Sequence, residues 1–200
     1  MNTHPHPHNK IIILDRDGVI NQDSDDFIKS PDEWVAIDGS LEAISRLSNA
    51  GYAVYVLSNQ SGIARGLFSM MTLESIHEKM IQQVEDHNGK ISGIYFCPHG
   101  PKDHCDCRKP LAGLYEQLAT DLGFASHTLF KNVPSIGDSI RDLEAATIVG
   151  ATPILVQTGK GRQSQLTLQE TPEHHLYGVN QYVDLAAYVD HLLMEDLLSL

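Results

Sequence analysis

The stretch IIILDRDG, residues 11–18, decides the fold, because four consecutive apolar residues lead directly into two aspartates and a glycine. Such an apolar run is typical of a strand buried on both faces of a parallel sheet. Asp15 and Asp17 leave this strand two positions apart, so both carboxylates project into one crevice, and Gly18 permits a tight turn. Two carboxylates are costly to place there without a cation, which favours a cation site over an acidic surface turn.

The rest of the chain alternates short apolar runs with amphipathic segments. Further strands are predicted at residues 53–57, 91–96, 133–136 and 153–156. Helices are predicted at residues 40–50, 72–86 with Thr72 as the cap, 110–122 opened by Pro110, 139–149 and 183–198. This alternation indicates an α/β protein with a parallel, Rossmann-like sheet, in which ligands bind beyond the carboxyl ends of the strands.

Composition sets the class of protein. A chain of 200 residues with 42% hydrophobic residues can bury a substantial core, which excludes a wholly disordered chain. We expect a single domain over residues 10–200 and a flexible tail over residues 1–9, where His4, His6 and His8 alternate with other residues. The sequence contains no bilayer-spanning run and no signal-type start, which predicts a cytoplasmic protein without membrane contact or an obligate protein partner.

The net charge of the chain limits the class of ligand that it can bind. Asp and Glu number 26 against 14 Lys and Arg, which gives −12 with neutral His. A chain this acidic repels polyanions, which argues against a general nucleic-acid surface.

Two further segments carry groups suited to anionic oxygens. Ser58–Gly62 (SNQSG) follows the second predicted strand and offers a hydroxyl, amides and accessible backbone N–H groups, although these are also ordinary turn residues. Arg108 and Lys109 precede a predicted helix, where they either neutralise a phosphate or form a solvated basic pair.

The fourth predicted strand also ends in acidic residues. Asp138 is placed to join Asp15 around one hard cation, and Mg²⁺ is bound in proteins by few carboxylates together with water and substrate oxygens. Asp142, one turn into the next helix, either orients Lys109 or a metal-bound water, or is a favourable charge in the first turn of that helix.

The three cysteines of the chain lie within eleven residues, at 97, 105 and 107. An odd number of clustered cysteines without an export signal favours metal over a disulfide framework, and redox-active thiols are the weaker alternative. Together with one imidazole, from His99 or His104, Cys97, Cys105 and Cys107 suit a tetrahedral, structural Zn²⁺. The zinc loop runs into residues 108–109 and would direct both cations.

These motifs, in this order, resemble the haloacid dehalogenase superfamily of phosphotransferases over residues 10 to about 160. The resemblance implies that Asp15 is the nucleophile that forms an aspartyl-phosphate and that Asp17 is the general acid and base. It implies that Mg²⁺ is held by Asp15, the backbone carbonyl of Asp17, and Asp138. Ser58 and Lys109 would stabilise the transferring phosphoryl group.

Residues 15–21, 28–34, 58–66 and 97–101 resemble the D-glycero-D-manno-heptose 1,7-bisphosphate 7-phosphatases more closely than the related histidinol-phosphate phosphatases. The spacing of the zinc loop does not discriminate, because short loops of this kind occur in both groups. This resemblance implies a phosphorylated sugar of nucleotide-heptose and lipopolysaccharide synthesis as substrate, and the Cys-x-His pattern favours His99 as the zinc ligand. The residues assigned to substrate binding are Asn59, Gln60, Arg65 and Arg108. A bisphosphate substrate carries a second phosphate, which Arg108 would hold, with Arg65 and Lys160 as further candidates.

The spacing of the motifs leaves no room for a large cap domain. Only 43 positions separate Asp15 from Ser58, and 51 separate Ser58 from Lys109. Short loops, including residues 22–36, must therefore shape specificity, with Trp34 either at the rim or packed beneath the loop. Two other functions are weighed: a polynucleotide 3′-phosphatase, which the acidity opposes, and a zinc-loop interaction module without activity, which the intact set of polar residues opposes.

Overall fold

The computed structural model describes residues 10–198, and its centre is a six-stranded parallel sheet. The strands are β1 (Ile11–Leu14), β2 (Ala53–Asn59), β3 (Gly93–Cys97), β4 (Pro134–Gly137), β5 (Thr152–Val156) and β6 (Asn180–Tyr182). The helices are α1 (Ser40–Asn49), α2 (Met70–Asp86), α3 (Gly113–Asp121), α4 (Ser126–Leu129), α5 (Ile140–Ile148), α6 (Gly161–Glu170) and α7 (Leu185–Leu198). The strand order β3-β2-β1-β4-β5-β6 is of the Rossmann type, so the predicted fold class is confirmed.

Strand β1 lies at the middle of the sheet, between β2 and β4, and explains why the opening apolar run is unbroken. Ile12 and Leu14 pack on one face with residues of α1, α2 and α7. Ile11 and Ile13 pack on the other face with residues of α3, α4 and α5. Since successive side chains of a strand point to opposite faces, a strand covered on both sides requires apolar residues throughout.

Two predicted helix starts are wrong, and each has a local cause. Helix α2 begins at Met70, because Ser69 rather than Thr72 is the cap and accepts a hydrogen bond from the Thr72 backbone N–H at 3.1 Å. Helix α3 begins at Gly113, because Pro110 belongs to a turn in which the Leu111 N–H donates to the Arg108 carbonyl.

Three elements were not predicted: α4, β6 and α6. Strand β6 has only three residues, and α6 reads GRQSQLTLQE, with few apolar side chains to reveal a helical period. Residues 1–9, the predicted tail, lie outside the described residues. No helix in the described part of the chain has the length and apolar character needed to cross a membrane.

The connection after β1, residues 15–39, holds the longest loop of the site region, while residues 60–69 connect β2 to α2. Within residues 10–198 neither connection contains a separate cap domain, as predicted. Trp34 is 1% exposed and packs in the core beneath the loop, which decides between its two predicted roles. Lys79 of α2 fixes the loop by donating hydrogen bonds to the carbonyls of Pro31 and Trp34.

Candidate active site

A cleft of about 280 Å³ opens at the carboxyl ends of the central strands. It lies where the chain order reverses between β1 and β4, which is the point at which open α/β sheets bind ligands. All the residues predicted to act in catalysis, magnesium binding and substrate binding line this cleft: Asp15, Asp17, Ser58, Asn59, Gln60, Arg65, Arg108, Lys109, Asp138 and Asp142. The sheet therefore brings together side chains that are up to 127 positions apart in sequence.

Lys109 lies at the base of the cleft and is 3% exposed. Its Nζ is 3.0 Å from Asp15 Oδ1 and 2.6 Å from Asp142 Oδ1, and it donates to the Leu57 carbonyl at 2.7 Å. Although burial opposes the charge, Asp142 and Asp15 raise the pKa of Lys109 above its usual value. Lys109 is therefore a fixed positive charge beside Asp15.

Asp142 has both carboxylate oxygens occupied by protein donors. Oδ1 faces Lys109, and Oδ2 accepts from the Ser139 N–H at 3.0 Å and the Ser139 hydroxyl at 2.5 Å, which completes a capping box at the start of α5. Burial opposes its ionisation, but Lys109 holds the pKa of Asp142 below its usual value. Asp142 thus combines the two predicted roles, orienting Lys109 and capping its helix.

Asp15, Asp138 and Asp142 form a cluster whose ligand oxygens all lie within 4.8 Å of one another. Burial raises the pKa of Asp15 to about 7, against the opposing effect of Lys109, and burial with the nearby carboxylates Asp142 and Asp15 raises the pKa of Asp138 to about 8. Three carboxylates beside one buried ammonium leave an excess of negative charge. Because Lys109 and Ser139 already occupy both oxygens of Asp142, Asp15 and Asp138 are the carboxylates of this cluster that can bind a cation, and such hard oxygen ligands fit Mg²⁺.

The loop after β5 and the start of α6 hold Asp138 in place, and Gly18 lies close against its carboxylate. Asp138 Oδ2 accepts from the Lys160 N–H at 2.7 Å, and its backbone carbonyl accepts from the Ser164 hydroxyl at 2.8 Å. Gly18 has a φ of 82°, and a Cβ at this position would overlap the Asp138 carboxylate. Gly18 is therefore required both for its left-handed backbone and for the close approach of the two strand ends.

Asp17 faces Arg16, a contact that is not predicted by the sequence motifs. Arg16 is 1% exposed and donates from Nε and Nη2 to Asp17 at 2.9–3.2 Å, while Asn21 and Gln60 each donate to Asp17 at 2.9 Å. Burial opposes the charge, but Arg16 and the amide donors hold the pKa of Asp17 below its usual value. In this arrangement Asp17 is held as an ionised carboxylate, with both of its oxygens accepting from protein donors.

Arg16 is held in turn by His77 of α2. Arg16 Nη1 donates to His77 Nε2 at 3.5 Å, which requires that nitrogen to be unprotonated. Burial, with the Arg16 charge, lowers the pKa of His77 to about 4. In the sequence Arg16 stands between Asp15 and Asp17, and this position could have predicted its pairing with Asp17, because a buried arginine requires an acidic partner.

The turn after β2 contributes positioning as well as polar groups. Asn59 donates from Nδ2 to the Lys109 carbonyl at 3.0 Å, and its Oδ1 accepts from the Lys109 N–H at 3.1 Å. Gln60 donates from Nε2 to the Ser58 hydroxyl at 2.7 Å. Because Asn59 binds both backbone groups of Lys109, its amide is occupied by the protein, whereas the sequence analysis assigned it to substrate.

The cysteine loop forms a compact cluster of four ligand atoms, from Cys97, His99, Cys105 and Cys107. Cys97 Sγ lies 3.6 Å from Cys105 Sγ and 3.1 Å from Cys107 Sγ, and His99 Nδ1 lies 3.3 Å from Cys107 Sγ. Tetrahedral zinc with ordinary bond lengths separates its ligands by about 3.5–3.8 Å; the Cys97–Cys105 distance lies in this range, and the other two are somewhat shorter. Three thiols and one imidazole in so compact a cluster are a donor set that fits Zn²⁺. The structure places His99 rather than His104 in the cluster.

The cations at the rim of the cleft differ in their contacts. Lys160 is paired with Asp23 at 2.8 Å, so it is already neutralised, which weakens its predicted role in holding a second phosphate. Arg65 lies over the Phe27 ring, and Arg108 donates to the His99 carbonyl at 3.2 Å. Arg141, on the first turn of α5, also lines the cleft, although the sequence analysis did not assign it to the site.

Comparison with known proteins gives a consistent result. The HAD-hydrolase-like family matches residues 106–182. The D-glycero-β-D-manno-heptose-1,7-bisphosphate 7-phosphatase of Bordetella bronchiseptica is 50% identical over 188 residues, covering 93% of this chain and 99% of the relative. The enzyme of the same name from Pseudomonas aeruginosa is 50% identical over 151 residues, covering 76% of this chain and 83% of the relative.

Solved structures agree with these sequence matches. The D,D-heptose 1,7-bisphosphate phosphatase of B. bronchiseptica, solved with magnesium and phosphate, superposes with a TM-score of 0.84 at 49% identity, covering 93% of this chain and 99% of that one. The corresponding Burkholderia thailandensis structure gives a TM-score of 0.67 at 38% identity, covering 92% and 98%. The chain therefore belongs to the heptose-1,7-bisphosphate 7-phosphatase family of haloacid dehalogenase-like hydrolases.

Proposed function

We propose that this protein removes the 7-phosphate of D-glycero-D-manno-heptose 1,7-bisphosphate through an aspartyl-phosphate on Asp15. The observation that carries the proposal is the placement of Asp15 between a fixed cation, Lys109, and a second metal-binding carboxylate, Asp138. Phosphoryl transfer depends mainly on positioning and on neutralisation of charge, and this cleft provides both.

In the first step an Asp15 oxygen attacks phosphorus, and the bond from phosphorus to the sugar oxygen breaks. Lys109 balances the negative charge of the transferring group, with Asp142 and the Leu57 carbonyl fixing its ammonium. The Ser58 hydroxyl, held by Gln60, is placed to donate to a phosphoryl oxygen. Bound Mg²⁺, held by Asp15, Asp138 and the backbone carbonyl of Asp17, would supply further neutralisation of the phosphoryl oxygens.

Asp17 carries the protons in this scheme. It donates one to the departing sugar oxygen in the first step and accepts one from the water that hydrolyses the aspartyl-phosphate in the second. Asp17 must therefore enter the first step protonated, and the proton that it takes from water in the second step restores this form for the next substrate. Its pairing with Arg16 favours the ionised form, so the protonated side chain must rotate away from Arg16 toward the cleft. The balanced products are the sugar with a free 7-hydroxyl, inorganic phosphate and the regenerated Asp15 carboxylate.

The zinc loop is proposed to act as a structural support. Cys97, His99, Cys105 and Cys107 would bind Zn²⁺ with four protein ligands, which leaves no position for water. The His99 carbonyl accepts from Arg108, and Lys109 follows directly in the chain. A rigid loop therefore orders both cations of the cleft.

Several wider expectations stay predictions: one functional domain over residues 10–200, and a place in nucleotide-heptose and lipopolysaccharide synthesis in the cytoplasm. A small phosphorylated sugar fits a cleft of this size. The alternative, a histidinol-phosphate phosphatase, is not favoured, because relatives of up to 50% identity are named for the heptose bisphosphate.

The test measures phosphate release with Mg²⁺ from heptose 1,7-bisphosphate and from histidinol phosphate. We expect a higher kcat/KM for the bisphosphate and a loss of at least about 10³-fold in kcat for Asp15→Asn, because an amide cannot replace the nucleophile. Asp190→Asn, which changes an exposed carboxylate paired with Arg46, is the matched control and should retain full activity. A preference for histidinol phosphate, or an active Asp15→Asn variant, would overturn the proposal.

A further inference from the structure

We propose that Arg141 binds the second, non-reacting phosphate of the substrate, together with Arg108, and so gives the enzyme its preference for a bisphosphate. This inference rests on the proposed function, because it concerns the substrate of that same cleft. It assigns to Arg141 a task that the sequence analysis gave to Arg65 and Lys160. Three observations support it.

The first observation is the position of Arg141 on its helix. Arg141 is the second residue of α5 and lies between Ser139 and Asp142, the two residues that form the capping box. The amino-terminal end of a helix carries a partial positive charge, so a cation in the first turn is unfavourable by electrostatics. Nothing in the stability of the helix therefore accounts for an arginine at this place.

The second observation is that Arg141 lacks an acidic partner. Among residues 10–198, no carboxylate lies within ion-pair distance of its guanidinium, although the chain has 26 acidic residues and only 14 Lys and Arg. Of the other basic side chains that line the cleft, Arg16 is paired with Asp17, Lys109 with Asp15 and Asp142, and Lys160 with Asp23. Within the described part of the chain, Arg65 and Arg108 share with Arg141 the lack of a carboxylate at ion-pair distance, so the three arginines form the unpaired positive charge of the cleft. An unpaired arginine in so acidic a protein leaves its charge available for an anionic ligand.

The third observation is the nearness of Arg108. Arg65, Arg108 and Arg141 all line the main cleft, so these guanidiniums share its rim. Arg108 and Arg141 line both the main cleft and an adjoining depression beside His104 and Leu111. A phosphate between the two arginines would turn a repulsive pair into a pair bridged by an anion.

Together these features separate two anion positions in the cleft. The reacting phosphoryl group lies at the base, beside Asp15 and Lys109, where the donors are buried. The second phosphate lies at the rim, where Arg141 is exposed and Arg108 is half-buried. Guanidinium groups suit the rim position, because they bind phosphate oxygens in pairs and stay charged in water.

The experiment compares heptose 1,7-bisphosphate with heptose 7-phosphate, which carries the same reacting group without the second phosphate. We expect Arg141→Gln to lower kcat/KM for the bisphosphate about tenfold, and to change that for the monophosphate by less than about twofold. Arg141→Lys should fall between, because it keeps the charge but loses the paired donors. Arg162→Gln, an exposed arginine of α6 outside the cleft, is the matched control and should behave as the unmodified protein.

Thermal unfolding without substrate gives an independent readout. Removing a cation from the first turn of α5 should leave Tm unchanged or slightly raised, and a lowered Tm for Arg141→Gln would contradict a purely ligand-binding role. Equal effects on both substrates, or none on either, would refute the inference while the proposed function stands. If the unmodified protein itself shows no preference for the bisphosphate, both the proposed function and this inference fail.

Discussion

Asn59 provides the sharpest test of how the cleft is built. The two hydrogen bonds between its amide and the Lys109 backbone, at 3.0 and 3.1 Å, are the contacts that place Lys109 across from β2. We predict that Asn59→Ala removes both. At roughly 0.5–1.5 kcal/mol for each bond, the free energy of unfolding should fall by about 1–3 kcal/mol.

The effect on catalysis follows from the same geometry. Lys109 Nζ keeps its contacts with Asp15, Asp142 and the Leu57 carbonyl, so the substrate can still bind, but the backbone beneath the lysine is released. A small displacement of a group that balances the transferring charge lowers kcat, here by about 10–100-fold, with little change in KM. The assays are steady-state phosphate release and urea unfolding.

Asn49→Ala is the matched control. Asn49 also donates two side-chain hydrogen bonds, to the Ser45 hydroxyl and the Asn88 carbonyl, but it lies at the end of α1, outside the cleft. It should lose some stability and no activity. If Asn59→Ala raises KM while kcat and stability are unchanged, Asn59 contacts the substrate directly and the positioning role is refuted.

Two further predictions concern the zinc loop and His77. The purified protein should contain about one equivalent of zinc by elemental analysis. Cys107→Ser or chelation should lower both Tm and kcat, because the loop holds Arg108 and Lys109. A metal-free protein of full stability and activity would contradict this prediction. Burial holds the pKa of His77 at about 4 in the folded protein, below the ordinary unfolded value of about 6.5. The contribution of neutral His77 to the free energy of unfolding is therefore fully present above pH 6.5 and is lost as the pH falls toward 4. In His77→Phe, the free energy of unfolding measured with urea should therefore fall less steeply at acid pH, and the difference from the unmodified protein should be on the order of 3 kcal/mol at most. His127→Phe, which replaces an exposed histidine, is the control, and a similar change in that variant would refute this explanation.

Much of the architecture could be predicted from local pattern. The unbroken apolar run of β1 predicts a strand covered on both faces, and the residues that follow β1, β2 and β4 predict a cleft at that edge. The weakly apolar α6 and the three-residue β6 gave no such signal, because their stability comes from packing against β5 rather than from their own period.

The sequence by itself determined the class of fold, the predicted polar residues that share the cleft and the clustering of the three cysteines, because each depends on residues near in the chain or on the rule that parallel strands end at one edge. The tertiary structure decided that His99 rather than His104 joins the cysteines. Only the tertiary structure decided the partner of each side chain: Asn59 binds the Lys109 backbone, Lys160 is neutralised by Asp23, and Arg141 is unpaired at the rim. These contacts join residues from 50 to 137 positions apart. The reason is physical: a motif fixes which groups are available, whereas the pairing of charges depends on distances that only the packed sheet and its loops establish.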